Sequence, residues 1–113
     1  MKPLNLATSL LLASLPLASA WHLQLYRNAG YQVLIVDRKG TNGQPCANLP
    51  ADLNDQVSSM HWDAYSWAWG ECTIRLFRNA NCQIQIGVST GDWHIPNFSP
   101  ANNDQLSSYR VDC

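Results

Sequence analysis

The sequence predicts an all-β fold, a two-sheet antiparallel sandwich of two Greek-key motifs. Three observations carry the prediction. Apolar side chains fall on every second residue in His22-Leu23-Gln24-Leu25, Cys72-Thr73-Ile74-Arg75-Leu76 and Gln83-Ile84-Gln85-Ile86, the period of a strand with one face buried. Turn formers cluster around these runs, at residues 39–45, 89–92 and 99–104, and no helix-period segment follows residue 20. The chain also repeats itself. Asn54-Asp55-Gln56-Val57-Ser58-Ser59 returns as Asn103-Asp104-Gln105-Leu106-Ser107-Ser108, and Leu25-Tyr26-Arg27-Asn28-Ala29 returns as Leu76-Phe77-Arg78-Asn79-Ala80. An alternating sheet must cover its apolar face, and neither repeat is long enough to do so alone, so the halves are expected to pack face to face.

Residues 1–20 read as a secretory signal, with Lys2 as the positive start, an apolar run from Leu4 to Leu17, and the small-residue cleavage site Ala18-Ser19-Ala20. Asn5, Thr8, Ser9 and Pro16 interrupt that run, which is shorter than the roughly 20 apolar residues that span a bilayer. The expected location is therefore secreted and extracellular, with one domain over 21–113. Its first motif takes about 21–62, a connection 63–71, and its second motif about 72–113. The connection carries Tyr65, Trp67 and Trp69 and no proline, so it reads as a packed segment rather than a flexible linker. Trp62, Tyr65, Trp67 and Trp69 form a dense aromatic stretch with two readings. They fill the interface between the halves, or they present rings to a protein or sugar partner, as Trp and Tyr do at interfaces.

Cys46, Cys72, Cys82 and Cys113 all lie in the mature part. An even number in an exported chain reads as a disulfide set, and no Cys-x-x-Cys pair favours zinc or redox chemistry. The residues alone leave all three pairings open. Of the seven Lys and Arg, Lys2 belongs to the signal, and eight Asp and Glu face the remainder, so the mature formal charge is −2. That balance, without runs of either sign, carries no footprint for nucleic acid or an anionic membrane. A monomer is expected.

Catalysis finds little support. Gly-x-Ser-x-Gly is absent, the cysteines are assigned to bridges, and only Glu71 and seven aspartates supply carboxylates, so no enzyme is expected. His22, His61 and His94 are scattered, with no spacing that puts two of them on one metal. Asn97-Phe98-Ser99 is a glycosylation acceptor pattern, with Pro100 behind it reducing its use.

The order of features within each half is an aromatic closing an alternating strand, a tight bend, a second strand and a late Asn-Asp-x-x-Ser-Ser turn. In this the chain resembles the βγ-crystallin Greek-key motif of calcium-binding microbial and fungal secreted proteins, from about Leu23 to Cys113. The family pattern has an aromatic, four residues, an aromatic, one residue and glycine. Tyr26 and Tyr31 fit it but Val33 holds the glycine place; Phe77 fits, while Cys82 replaces the second aromatic and Ile84 the glycine. Glycine serves there to reach a backbone conformation costly to other residues, so the hairpin is expected to be built differently. The resemblance also implies a Cys72–Cys113 bridge between first and last strands of the second motif, with Cys46 and Cys82 forming the other.

The resemblance further implies calcium ligands: the side chains of Asp55 and Asp104, the backbone carbonyls of Gln56 and Gln105, and the hydroxyls of Ser58 and Ser107. Each ion would draw on both motifs, completed by a hairpin carbonyl near Arg27 or Arg78. Calcium takes six to eight oxygens, and a turn with one carboxylate is expected to bind weakly, for up to two ions in all. The same residue types also close turns without metal. The leading expectation is a small secreted calcium-binding protein with ion-dependent stability. The alternative is a secreted interaction protein, whether antimicrobial or killer-toxin-like, a proteinase inhibitor or a host-directed effector, with sugar binding through the aromatics as a further role. Its surfaces would be the aromatic stretch and the Lys39–Pro45 loop.

Overall fold

The computed structural model describes residues 21–64 and 71–113. The expected signal at 1–20 lies outside them, as do Tyr65, Trp67 and Trp69. Eight strands follow in chain order: β1 Trp21–Asn28, β2 Gln32–Gly40, β3 Gln44–Asn48, β4 Ser59–Ala64, β5 Thr73–Asn79, β6 Gln83–Thr90, β7 Trp93–Ile95 and β8 Ser108–Asp112. They form two four-stranded sheets, ordered β2-β1-β4-β7 and β3-β8-β5-β6, with every pairing antiparallel. Each half thus keeps three strands in one sheet and lends its third strand, β3 or β7, to the other. The fourth strand of the first half begins with the last residue of the repeated turn and reaches Ala64, so the connection starts as strand.

Alternation places the core. Trp21, Leu23 and Leu25 of β1, Met60 and Trp62 of β4, Ile74 and Leu76 of β5, and Tyr109 and Val111 of β8 are all buried in one cluster between the sheets. Val57 and Leu106, the apolar fourth residues of the repeated turns, plug the same interior at 0% exposure. Burying a side chain of this size contributes about 1.5–3 kcal/mol, so the central strands β1, β4, β5 and β8 dominate cohesion.

The two hairpins correct the sequence expectation. Val33 and Ile84 stand in the glycine places, yet each has φ of 62°, and Tyr31, Asn81 and Cys82 are left-handed as well. The chain therefore keeps the glycine-type bend with β-branched residues, and the strain is offset by fixation around it. β2 and β6 carry matching bulges, with Ile35 the extra residue opposite Leu25 and Tyr26, and Ile86 the extra residue opposite Leu76 and Phe77. Behind each bend sits a fully buried serine. Ser59 Oγ donates to the Asn28 carbonyl at 2.6 Å and accepts from the Tyr31 amide at 3.1 Å; Ser108 Oγ does the same with Asn79 at 2.6 Å and Cys82 at 3.0 Å.

Cys46 is bonded to Cys82, and Cys72 to Cys113. The first bridge explains the missing aromatic of the second hairpin. Cys82 holds the place of Tyr31 and ties the hairpin to the exchanged strand β3. Asn48 reinforces the tie, accepting from the Asn81 amide at 2.7 Å and donating to Asn81 Oδ1 at 3.1 Å. The second bridge closes β5 against the end of β8.

Candidate metal centre

Each repeated turn starts with a single helical bend. The Leu53 and Asn54 amides donate to the Pro50 carbonyl, and those of Asn102 and Asn103 to the Ser99 carbonyl, all at 2.8–2.9 Å. The chain then reverses at Asp55 and Asp104, with φ of 60° and 58°. Aspartate is among the few residues that enter this region at low cost. Reversal carries each aspartate across to the other motif. Asp55 N–H donates to the Leu106 carbonyl and Asp104 N–H to the Val57 carbonyl, both at 3.1 Å.

Two oxygen sets result. In one, Ser107 Oγ donates to Asp55 Oδ1 at 3.2 Å, while the Ser107 amide donates to the Phe77 carbonyl at 3.0 Å. In the other, Ser58 Oγ donates to Asp104 Oδ1 at 3.3 Å, while the Ser58 amide donates to the Tyr26 carbonyl at 2.9 Å. The structure therefore brings Asp55 to Ser107 and Asp104 to Ser58, and sets each pair beside the hairpin that follows Phe77 or Tyr26. The first set opens on a concavity of about 650 Å³ lined by Asn54, Asp55, Arg78, Asn79, Gln105 and Ser107. Gln56 is the repeat counterpart of Gln105, and its side-chain amide donates to the Asp52 carbonyl at 2.8 Å. Asp55 and Asp104 are exposed, Ser58 is half-buried and Ser107 is buried.

The donor chemistry fits a hard cation. Each set offers a carboxylate, a hydroxyl and nearby amide or backbone carbonyls, with no sulfur or imidazole. One carboxylate per set and Arg78 in the concavity keep the local charge low. Among the described residues, no three His, Cys, Asp or Glu side chains gather in a group able to hold a metal.

Solved structures match this architecture. The first is a βγ-crystallin domain from Clostridium beijerinckii, at 16% identity and a TM-score of 0.56, covering 80% of this chain and 97% of that one. The chain has a βγ-crystallin-like fold. A βγ-crystallin domain from Flavobacterium johnsoniae aligns at 23% identity and TM-score 0.53, covering 79% and 91%. A double mutant of clostrillin in which two serines are replaced by histidine, solved in complex with nickel, aligns at 17% and 0.54, covering 81% and 98%. No family model and no curated protein matches at the level of sequence. For a βγ-crystallin-like chain, the duplicated turns and bulges are the two motifs of one fold, and the crossed oxygen sets lie where those motifs meet.

Other expected surfaces come out differently. Trp62 is at 0% exposure, with its ring centroid 5.7 Å from that of Trp21 inside the core, so it offers no ring to a partner. The three histidines, far apart in sequence, all lie on the outer face of the first sheet. His22 Nε2 meets Asp37 Oδ1 at 2.5 Å, His94 Nε2 meets Asp63 Oδ1 at 2.8 Å, and His61 packs between Tyr31 and His94. Burial, then the Asp37 carboxylate, pushes the Tyr26 phenol on this face above its ordinary value. Sequence reasoning missed this grouping, and it missed Ser59 and Ser108. The signal for the serines was present: the last residue of the repeated string is identical in both copies.

Proposed function

We propose that this chain is an exported, disulfide-stabilised calcium-binding domain that holds up to two ions weakly and gains stability from them. The observation that carries the reading is the crossed pairing of Asp55 with Ser107 and of Asp104 with Ser58, each beside a hairpin of the opposite motif. Two equivalent oxygen sets, each drawn from both halves, form a site that exists only in the folded chain. A ligand confined to the folded state stabilises it by an amount that grows with its excess over the dissociation constant, about 2.7 kcal/mol at a hundredfold excess. The nickel complex of a histidine-substituted domain of this fold supports metal binding in general terms.

Calorimetry of the metal-stripped protein with calcium, and with magnesium as control, tests the proposal. One or two saturable sites with much weaker magnesium are expected. No heat, together with no calcium-dependent change in melting, would reduce the repeated turns to structural corners.

A second reading has its own observation. A concavity of about 550 Å³ is lined by buried Trp21 and Tyr109, by Arg38 and Lys39, and by Gln44 of the suspected Lys39–Pro45 region. Arg38 and Lys39 outnumber Asp37, the carboxylate that also lines it, so it would suit an extracellular partner with an anionic group. Growth-inhibition or protease-inhibition assays with pure protein, compared with Arg38→Ala, check this role.

A further inference from the structure

His61 of β4 and His94 of β7 are direct partners in the antiparallel register, with ring centroids 4.7 Å apart and planes tilted by 37°. Their approach depends on the strand exchange, because β7 belongs to the second motif and reaches the first sheet only by crossing over. Asp63, two residues after His61 on the same face, accepts from His94 Nε2 at 2.8 Å. The Tyr31 ring lies 3.9 Å from the His61 ring, and Tyr26 meets His61 edge-on at 5.8 Å. We propose that His61 and His94 form a binding site for a divalent transition-metal ion of the zinc and nickel class, separate from the oxygen sets at the turns.

The chemistry follows from the donors. A carboxylate only accepts, so Asp63 fixes the N–H of His94 at Nε2 and leaves the Nδ1 lone pair free for a metal. A carboxylate behind a ligating histidine orients the ring and raises its basicity. Imidazole nitrogen selects zinc, nickel and copper, whereas the carboxylate and hydroxyl oxygens of the turns select calcium. Both rings stand on paired strands, so the fold has already brought them together, and less ordering cost falls on binding.

No third His, Cys, Asp or Glu among the described residues joins them as a ligand, so water completes the coordination sphere and the site stays open to solvent. The neighbouring charges favour a cation. Asp37 and Asp63 both lie on this face, and Lys39, register partner of His22, is the basic residue beside them. His22 itself stands opposite Asp63 across β1 and β4, but its ring is engaged by Asp37.

The full chain titrated with zinc chloride, and separately with nickel chloride, by calorimetry provides the test. One saturable ion is expected, weakened at least tenfold in His61→Gln and in His94→Gln and about tenfold in Asp63→Asn, which keeps both imidazoles. The double variant Asp55→Asn with Asp104→Asn should bind zinc and nickel as the parent does. Calcium binding should survive His94→Gln, so this site and the calcium sites fail independently. His94 is half exposed, and an unchanged melting temperature without metal establishes that its variant is folded. Parent-like affinity in either histidine variant, or no saturation of the parent at millimolar metal, overturns the proposal.

Discussion

Single residues set the geometry of both hairpins, and their effects can be separated. Val33 and Ile84 hold left-handed backbone while 50% and 57% exposed, so their side chains gain little from packing. The left-handed region costs an ordinary residue roughly 1–2 kcal/mol, while glycine loses about 0.5–1 kcal/mol more in ordering. Val33→Gly and Ile84→Gly are therefore each expected to stabilise the protein by about 0.5–1 kcal/mol, read from the urea midpoint; a loss at both positions would show that strain there is negligible. The buried serines act in the opposite sense. Ser59→Ala leaves the Asn28 carbonyl and Tyr31 amide without their partner, and each dry unpaired group costs about 1–3 kcal/mol. A drop of roughly 2–4 kcal/mol is expected from Ser59→Ala and from Ser108→Ala by chemical denaturation. Ser58→Ala, which removes only an exposed contact to Asp104, should cost well under about 1 kcal/mol without metal.

At the scale of strands, the exchange of β3 and β7 separates what the sequence could say from what it could not. Period-two alternation reveals which face of a strand is buried but not which strand lies beside it, so β1 and β5 were legible; in β6 the left-handed backbone at Ile84 leaves that side chain 57% exposed, against the alternation of Gln83-Ile84-Gln85-Ile86. β3, Gln44-Pro45-Cys46-Ala47-Asn48, has no alternation and begins inside a cluster that reads as a turn; β7 is three residues long. Both are edge strands, and their side chains answer to the neighbouring sheet rather than to local pattern. The duplicated turns were legible because a repeat needs no structure to be seen, and with them the Asp and Ser residues proposed as oxygen donors. The outer-face histidines were not, because His61 and His94 meet only through the exchange. β3 is also where the Cys46–Cys82 bridge matters most. Its span of 36 residues corresponds to about 4 kcal/mol in the loop-entropy model. Replacing Cys46 and Cys82 together by alanine should cost roughly 2–4 kcal/mol in thermal or denaturant unfolding. It should also raise amide exchange at Asn81 and at position 82 before it affects β1. Uniform exchange across both sheets would mean that β3 is held by the β8 ladder alone.

For the molecule as a whole, the crossed sets would make the proposed calcium binding a property of two halves rather than of either turn. Asp55 belongs to the first motif, while Ser107 and the hairpin after Phe77 belong to the second, so an ion held there joins the motifs, and the set of Asp104 and Ser58 does so in reverse. The unfolded chain contains both turns but neither set, which is why the proposed linkage stabilises only the native state. This arrangement differs measurably from two self-contained turns. Asp→Asn keeps a residue that tolerates the left-handed backbone and removes only the charge. In the crossed arrangement Asp55→Asn and Ser107→Ala disable the same site. Their combination should leave one calcium equivalent in calorimetry and retain part of the calcium-dependent rise in melting temperature. Asp55→Asn with Ser58→Ala strikes both sites and should leave little of either. Self-contained turns demand the reverse outcome, one ion surviving in the Asp55 and Ser58 pair and none in the Asp55 and Ser107 pair. The two double variants carry the same two kinds of substitution, so a difference between them reports which motif serves which ion.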